Sequence, residues 1–258
     1  MTGYTPIEMM TVAASRSLAE GDVCFAGVGP PSEACNLARA VHAPDLVLIY
    51  ESGAVRARPR NLPLSVGDGE LCETALCTVS VPEMFCYWLQ GGHIDIGVLS
   101  AAQIDRFGNI NTTIIGDYHA PKVRLPGGGG APEIATSCDR IHLIVRQSRR
   151  SFRKELDFRT SFGFGEGGLS RSEAGILTAG PVVLFTDLAI WKPDPASKEL
   201  TVVSLHPGVT RAQMHASVDW NIKFAEQVEI TEPPSDEELT VLRELHKRTK
   251  ASHFPKKI

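Results

Sequence analysis

No stretch of the 258-residue sequence is long and apolar enough to cross a bilayer. The amino terminus, Met1-Thr2-Gly3-Tyr4-Thr5-Pro6, has neither the basic segment nor the apolar core of a secretory leader. A cytoplasmic protein without membrane contact is therefore expected. Lys and Arg are dispersed through a chain of net charge −4, which leaves no electrostatic footprint for nucleic acid. Any anionic ligand must be met by local positive potential. The six cysteines (Cys24, Cys35, Cys72, Cys77, Cys86 and Cys138) include no Cys-x-x-Cys pair and lie in apolar or small-residue segments, so reduced core residues are expected. None of the eight histidines forms an i, i+4 pair with a helper acid, and Cys72 and Cys77 lack neighbouring ligands, so no metal is expected. The absence of a Gly-x-Ser-x-Gly elbow counts against a serine hydrolase.

What is present reads as an α/β protein, with 43% hydrophobic residues in one domain spanning 1–258. Thr5, Pro6 and Glu8 form a capping box that opens a helix running to about Glu20, with Gly21 as its stop. A strand, Asp22 to Ala26, runs into Gly27-Val28-Gly29-Pro30-Pro31 and a helix from Ser32 to about Val41. A second strand, Asp45 to Tyr50, completes a β-α-β unit. The third glycine of a dinucleotide fingerprint is missing and two prolines follow, so Gly27 and Gly29 are better suited to an acyl or pantetheine group. The second strand delivers Glu51-Ser52-Gly53 to the carboxyl rim of the sheet, where open α/β sheets bind ligands. A carboxylate there is either a solvated surface charge or a reactive group.

Farther along, arginines at 56, 58 and 60 sit in a proline-rich loop, a short helix covers Pro82 to Gln90, and a strand covers Ile94 to Leu99. Asp105 to Asn109 is turn chemistry between two β-branched runs, and its Asn and Thr neighbours suit holding that turn together. Gly127 to Gly130, four glycines between Pro126 and Pro132, imply positive φ angles or close approach to a ligand. Their successive N–H groups suit an anion nest or oxyanion hole; a flexible linker is the plainer alternative. Arg146, Arg149, Arg150, Arg153 and Lys154 make a basic stretch, either a solvated face or a contact for an acidic ligand or a partner chain. After a second glycine-rich loop at 162–168 come strands at 181–185 and 200–204. A Ser235–Glu238 capping box then opens an amphipathic helix at about 236–250, followed by a frayed tail at 251–258.

Several of these motifs, taken in order, resemble one family. They are Gly27-x-Gly29-x-Pro31, Glu51-Ser52-Gly53, the run from Ala102 to Asn111, Gly116-Asp117-Tyr118-His119, Gly127-x-Gly129-Gly130-Ala131, and Ser204 to Thr210. From about Tyr4 to Glu229 the sequence resembles the small (β) subunit of class I CoA-transferases. The resemblance implies an open, mostly parallel sheet flanked by helices, the CoA-transferase fold, related to the ribose-5-phosphate isomerase-like fold. It also implies a homologous, separately encoded α subunit in a heterodimer or α2β2 heterotetramer.

The family's catalytic carboxylate falls on Glu51 and its oxyanion donors on Gly129 and Gly130. Contacts to substrate or CoA fall on Gly27, Gly29, Ser52, Gly53, Gly127 and Gly128. CoA esters are then substrates, with no metal and no other cofactor. Within the family, Tyr50 to Gly53, Ile114 to His119 and His206 to Thr210 are most similar to members that use 3-oxoadipate, with glutaconate users next. This implies succinyl-CoA as donor and a place in the β-ketoadipate pathway of aromatic degradation. Transfer to another dicarboxylate such as glutaconate, and hydrolysis of CoA esters on the same fold, are the alternatives; a non-catalytic sugar-phosphate sensor is a more distant one. One departure is Ser217-Val218-Asp219-Trp220, where relatives commonly carry Thr-Gly before an aromatic.

Overall fold

Thr5 opens the first helix as expected: its hydroxyl accepts from the Glu8 N–H at 3.2 Å, and the Glu8 carboxylate accepts from the Thr5 N–H at 2.7 Å. The structure, a computed structural model, describes residues 3–253. In chain order the elements of the amino-terminal part are α1 (Pro6–Ser15), β1 (Val23–Ala26), α2 (Pro30–Val41), β2 (Val47–Ile49), β3 (Ala54–Val55), α3 (Gly69–Glu73) and β4 (Cys77–Thr78). Then come α4 (Val81–Glu83), which runs into a π-helical segment Met84–Leu89, and β5 (Ile96–Leu99). Beyond it lie β6 (Gln103–Ile104), β7 (Ile110–Asn111), β8 (Ile114–Gly116), β9 (Pro121–Arg124), α5 (Ala131–Ser137) and β10 (Arg140–Ile144). The remainder are α6 (Ser170–Glu173), β11 (Gly180–Phe185), β12 (Ala189–Pro193), β13 (Leu200–Leu205), α7 (Arg211–Ala216), β14 (Lys223–Ile230) and α8 (Asp236–His253).

These elements fall into two units, one formed by residues up to Val98 together with those from Pro234 onward, the other by Leu99 to Pro233. In the first, the strands lie in the order β5-β1-β2-β3-β4. β5 and β2 flank β1 in parallel, and β3 and β4 continue antiparallel. Val12 of α1, Leu37 of α2 and Leu242 of α8 are fully buried against one another, with Val41 and Val241 around them. Each such burial contributes about 1.5–3 kcal/mol. α1 ends at Ser15 and not near Glu20, because the Ser15 and Ser17 hydroxyls donate back to the carbonyls of Val12 and Ala14. α8 opens on the expected Ser235–Glu238 capping box and continues to His253. The rest of the expected tail lies outside the described residues.

The cysteine expectation needs a correction. Cys24, Cys35 and Cys138 are buried, but Cys72, Cys77 and Cys86 are exposed. The two-residue strand β4 is the edge of its sheet and presents both of its residues to solvent, so neighbouring apolar residues do not place Cys77 inside.

In the second unit the order is β14-β13-β12-β11-β10, with β10–β11 and β13–β14 parallel and the pairs between them antiparallel. Two small ladders, β6-β7 and β8-β9, carry the Asp105 hairpin and the segment before the glycine run. Phe152, Trp191 and Trp220 gather beside the sheet, with Phe152 and Trp220 stacked at 5.8 Å and 14°. The mixed sheet with parallel central pairs and flanking helices is the expected α/β class.

Candidate active site

β2 and β3 are joined by a tight turn with Glu51 and Ser52 at its two central positions. The Gly53 N–H donates to the Tyr50 carbonyl at 2.9 Å, and the Tyr50 N–H donates to the Ala54 carbonyl at 3.1 Å. Gly53 has φ +94°, and a Cβ there would lie 1.9 Å from the Val79 carbonyl oxygen. No other residue fits this position. Beneath the turn, the buried Tyr50 phenol is held 3.0 Å from Ser32 Oγ and accepts from Asn36 Nδ2 at 3.3 Å. Burial pushes its pKa up to about 12, so it stays a neutral anchor at any physiological pH. Glu51 is half-buried, and the Ser52 hydroxyl oxygen is buried with no hydrogen-bond partner among the described residues.

Because β1 pairs in parallel with β2, through Phe25 opposite Ile49, Gly27 and Glu51 leave the same ends of neighbouring strands. The Gly27 N–H donates to the Val98 carbonyl at 3.4 Å, and a Cβ on Gly27 would lie 3.3 Å from that oxygen. Gly29, at φ +84°, precedes Pro30 and Pro31, which occupy the first helical positions where a missing N–H costs nothing. Gly29 lines a cavity of about 440 Å³ whose walls are Val28, Leu62, Pro63 and Leu64. Its polar contributions include Lys250 and the Glu33–His246 pair at 3.2 Å. The Glu33 carboxylate raises the His246 pKa above the usual imidazole range. An apolar cavity with a few convergent polar groups suits a small amphipathic ligand.

In the second unit the glycine run is fastened at its start: the Gly127 N–H donates to the Thr112 carbonyl at 2.8 Å, and the Leu125 N–H to the Thr113 carbonyl at 3.0 Å. Gly127 and Gly129 have φ +103° and +50°, so the run is a defined turn and not a loose linker. The Gly130 carbonyl accepts from Ile134 and starts α5. Among the described residues no acceptor reaches the Gly128 or Gly129 N–H. Thr160 underlies the turn, with its hydroxyl 2.6 Å from that of Thr113 and accepting from the Thr112 N–H at 2.9 Å.

Two supporting side chains had roles that sequence reasoning missed. Asn109 does more than hold its own hairpin. It donates to Asp105 at 2.7 Å and to the Gly165 carbonyl at 2.8 Å, and accepts from the N–H groups of Gly163 and Gly165 at 2.9 and 3.1 Å. Arg171 is buried and donates to the carbonyls of Ala135, Phe162, Gly163 and Thr178, and burial lowers its pKa to about 10. Arg171 stands in a short Ser-Arg-Ser segment with no distinguishing pattern, so nothing in the sequence marked it.

Among the described residues no three His, Cys, Asp or Glu side chains gather as a metal site, and no helix is long and apolar enough to cross a membrane. The sequence matches the coenzyme A transferase family over residues 7–216. The chain belongs to that family. It is 57% identical over 253 residues to the β subunit of 3-oxoadipate CoA-transferase from Pseudomonas knackmussii, covering 98% of this chain and 97% of the relative. To the β subunit of glutaconate CoA-transferase from Acidaminococcus fermentans it is 32% identical over 250 residues, covering 94% and 92%. The crystal structure of glutaconate CoA-transferase from the same organism superposes with a TM-score of 0.89 at 29% identity, covering 97% of each chain. The family resemblance, the CoA-transferase fold and the order of likeness, 3-oxoadipate ahead of glutaconate, are as expected from the motifs.

Proposed function

We propose that this transferase is the β subunit of a two-subunit enzyme that moves CoA from succinyl-CoA to 3-oxoadipate, in the cytoplasm, during aromatic ring degradation. The observation that carries this reading is the 57% identity, over nearly the whole of both chains, to the β subunit of a 3-oxoadipate CoA-transferase. The same reading supplies the partner, a homologous α subunit in a heterodimer or α2β2 assembly.

Glu51 is the proposed CoA carrier, since its turn fixes a carboxylate at the carboxyl rim of the first unit's sheet. The carboxylate attacks the succinyl-CoA thioester carbonyl, and the tetrahedral oxyanion collapses to an acyl-glutamyl anhydride and CoA thiolate. The thiolate then attacks the Glu51 carbonyl, expelling succinate and leaving a glutamyl-CoA thioester. The carboxylate of 3-oxoadipate attacks that thioester, and the released thiolate attacks the acceptor's carbonyl, which returns Glu51 as a carboxylate.

The N–H groups of Gly129 and Gly130 are the donors assigned to the oxyanions, where loss of one donor typically costs about 3 kcal/mol of barrier. Gly27, Gly29, Ser52, Gly53, Gly127 and Gly128 are assigned to contact with CoA or acyl group. Every step is nucleophilic exchange at a carbonyl, which requires no metal and no cofactor beyond the CoA esters themselves. The test is an assay of the chain reconstituted with its α subunit. Turnover of succinyl-CoA beyond one equivalent of enzyme must depend on an added carboxylate acceptor, with 3-oxoadipate preferred and its CoA thioester formed. Acceptor-independent turnover that yields free CoA would mark a hydrolase, and preference for glutaconate would overturn the substrate assignment.

A further inference from the structure

Thr160 meets the glycine run from two directions. Its backbone is pinned to β7: the Thr160 N–H donates to the Ile110 carbonyl at 2.9 Å, and the next residue, Ser161, bridges Ile110. Its hydroxyl accepts from the Thr112 N–H at 2.9 Å and lies 2.6 Å from the Thr113 hydroxyl. Those two neighbours fasten the start of the run, through the carbonyls that take the Gly127 and Leu125 N–H groups. The Thr160 methyl reaches the run directly. A Cβ on Gly128 would lie 3.3 Å from Thr160 Cγ2, so the methyl backs the Gly128 peptide.

The strand bridge between Ile110 and Ser161 is made by backbone groups, and a threonine that only completed it would need neither contact. Asn111 takes the Thr113 N–H at 2.9 Å, and the hydroxyl oxygen of Thr112 is buried without a partner among the described residues. The Thr112 N–H is left to Thr160. A run of four glycines has no side chains to set its shape and a wide choice of backbone conformations. With Gly127 at φ +103° and Gly129 at +50°, its shape comes from what lies behind it. Oxyanion donors act by being fixed before charge develops, and a displacement of about 1 Å can cost about 100-fold in rate.

We propose that Thr160 is a positioning residue for the oxyanion donors: its hydroxyl and methyl set the shape of the glycine run, and so the aim of the Gly129 and Gly130 N–H groups. Thr160 acts through that backbone and not on the substrate. This role rests on the transferase reading, in which the run serves the oxyanion.

The test compares Thr160→Val, which keeps the methyl, with Thr160→Ser, which keeps the hydroxyl. In the α-assembled enzyme Thr160→Val should lower kcat about tenfold or more with KM for the CoA ester unchanged, and Thr160→Ser should recover most of that loss. Hydrogen exchange on the full chain reads the run without turnover: the amides of Leu125 and Gly127 should exchange faster in Thr160→Val and stay protected in Thr160→Ser. If valine prevents folding, Thr160→Ala, which leaves room for a water at the Thr112 N–H, takes its place against Thr160→Ser. Unchanged exchange at Leu125 and Gly127 would overturn the positioning role and leave the glycine donors standing. So would a loss of activity that only follows the folded fraction, or an equal loss in Thr160→Ser. Faster exchange with unchanged kcat would overturn the oxyanion role of the run, and the proposal with it. An unsubstituted assembly that transfers no CoA would overturn the transferase reading itself.

Discussion

The Val79 N–H donates to the Gly53 carbonyl at 3.0 Å, and the Val79 carbonyl oxygen occupies the space that a Gly53 side chain would need. The Glu51 turn is thus clamped from the β4 side by backbone alone. Gly53→Ala would combine a disfavoured φ with a clash against backbone that cannot rotate away. It is expected to cost about 2–4 kcal/mol of stability. Urea unfolding would show this as a lower midpoint with unchanged slope, and activity should fall further than the folded fraction at assay temperature. A Gly53→Ala protein of full stability would contradict the clamp.

Asn109 is a second structural keystone, fully buried between the Asp105 hairpin and the 162–168 loop. Burial raises the Asp105 pKa, and the hydrogen bonds from Asn109 and the Phe107 N–H work against that rise. Asn109→Ala removes a partner from a buried carboxylate, two N–H groups and a carbonyl together. A loss of about 3–5 kcal/mol is expected. Hydrogen exchange should show the amides of Gly163 and Gly165 losing protection first, and unchanged protection there would rule out this role.

Much of this was legible in the sequence because short-range chemistry dictated it. Thr5 with Glu8, and Ser235 with Glu238, are reciprocal caps closed within one turn, and each formed as read. The β1–glycine turn–α2–β2 unit followed from an apolar run, two glycines and two prolines. Less legible were elements defined only by their partners. β14, Lys-Phe-Ala-Glu-Gln-Val-Glu-Ile, has no apolar run and is a strand because β13 pairs with it. β12 alternates weakly and ends on a proline. Exposure of Cys77 depends on β4 being the sheet edge, Cys72 and Cys86 lie exposed on α3 and on the π-helical segment, and local composition encodes none of these placements.

The His246–Glu33 pair gives the first unit a pH dependence. Its raised folded-state pKa means that stability from the charged imidazole is fully present below the unfolded value of about 6.5 and is lost as pH rises through the folded value. The His246 side chain is 43% exposed, so the effect is modest and screened by salt. Thermal unfolding of His246→Gln and of the unsubstituted chain, measured from pH 5 to 9, should converge at the alkaline end. A constant difference across the range would assign His246 a packing role only.

Covalent carriage of CoA on Glu51 is the step on which the proposed transfer depends. The direct measurement is to mix the α-assembled enzyme with succinyl-CoA and no acceptor, quench, and map the chain by peptide mass spectrometry. A CoA-mass adduct confined to the peptide carrying Tyr50-Glu51-Ser52-Gly53 is expected, reversed by 3-oxoadipate and absent from Glu51→Gln. Full turnover by Glu51→Gln, or an adduct on any other residue, would contradict it.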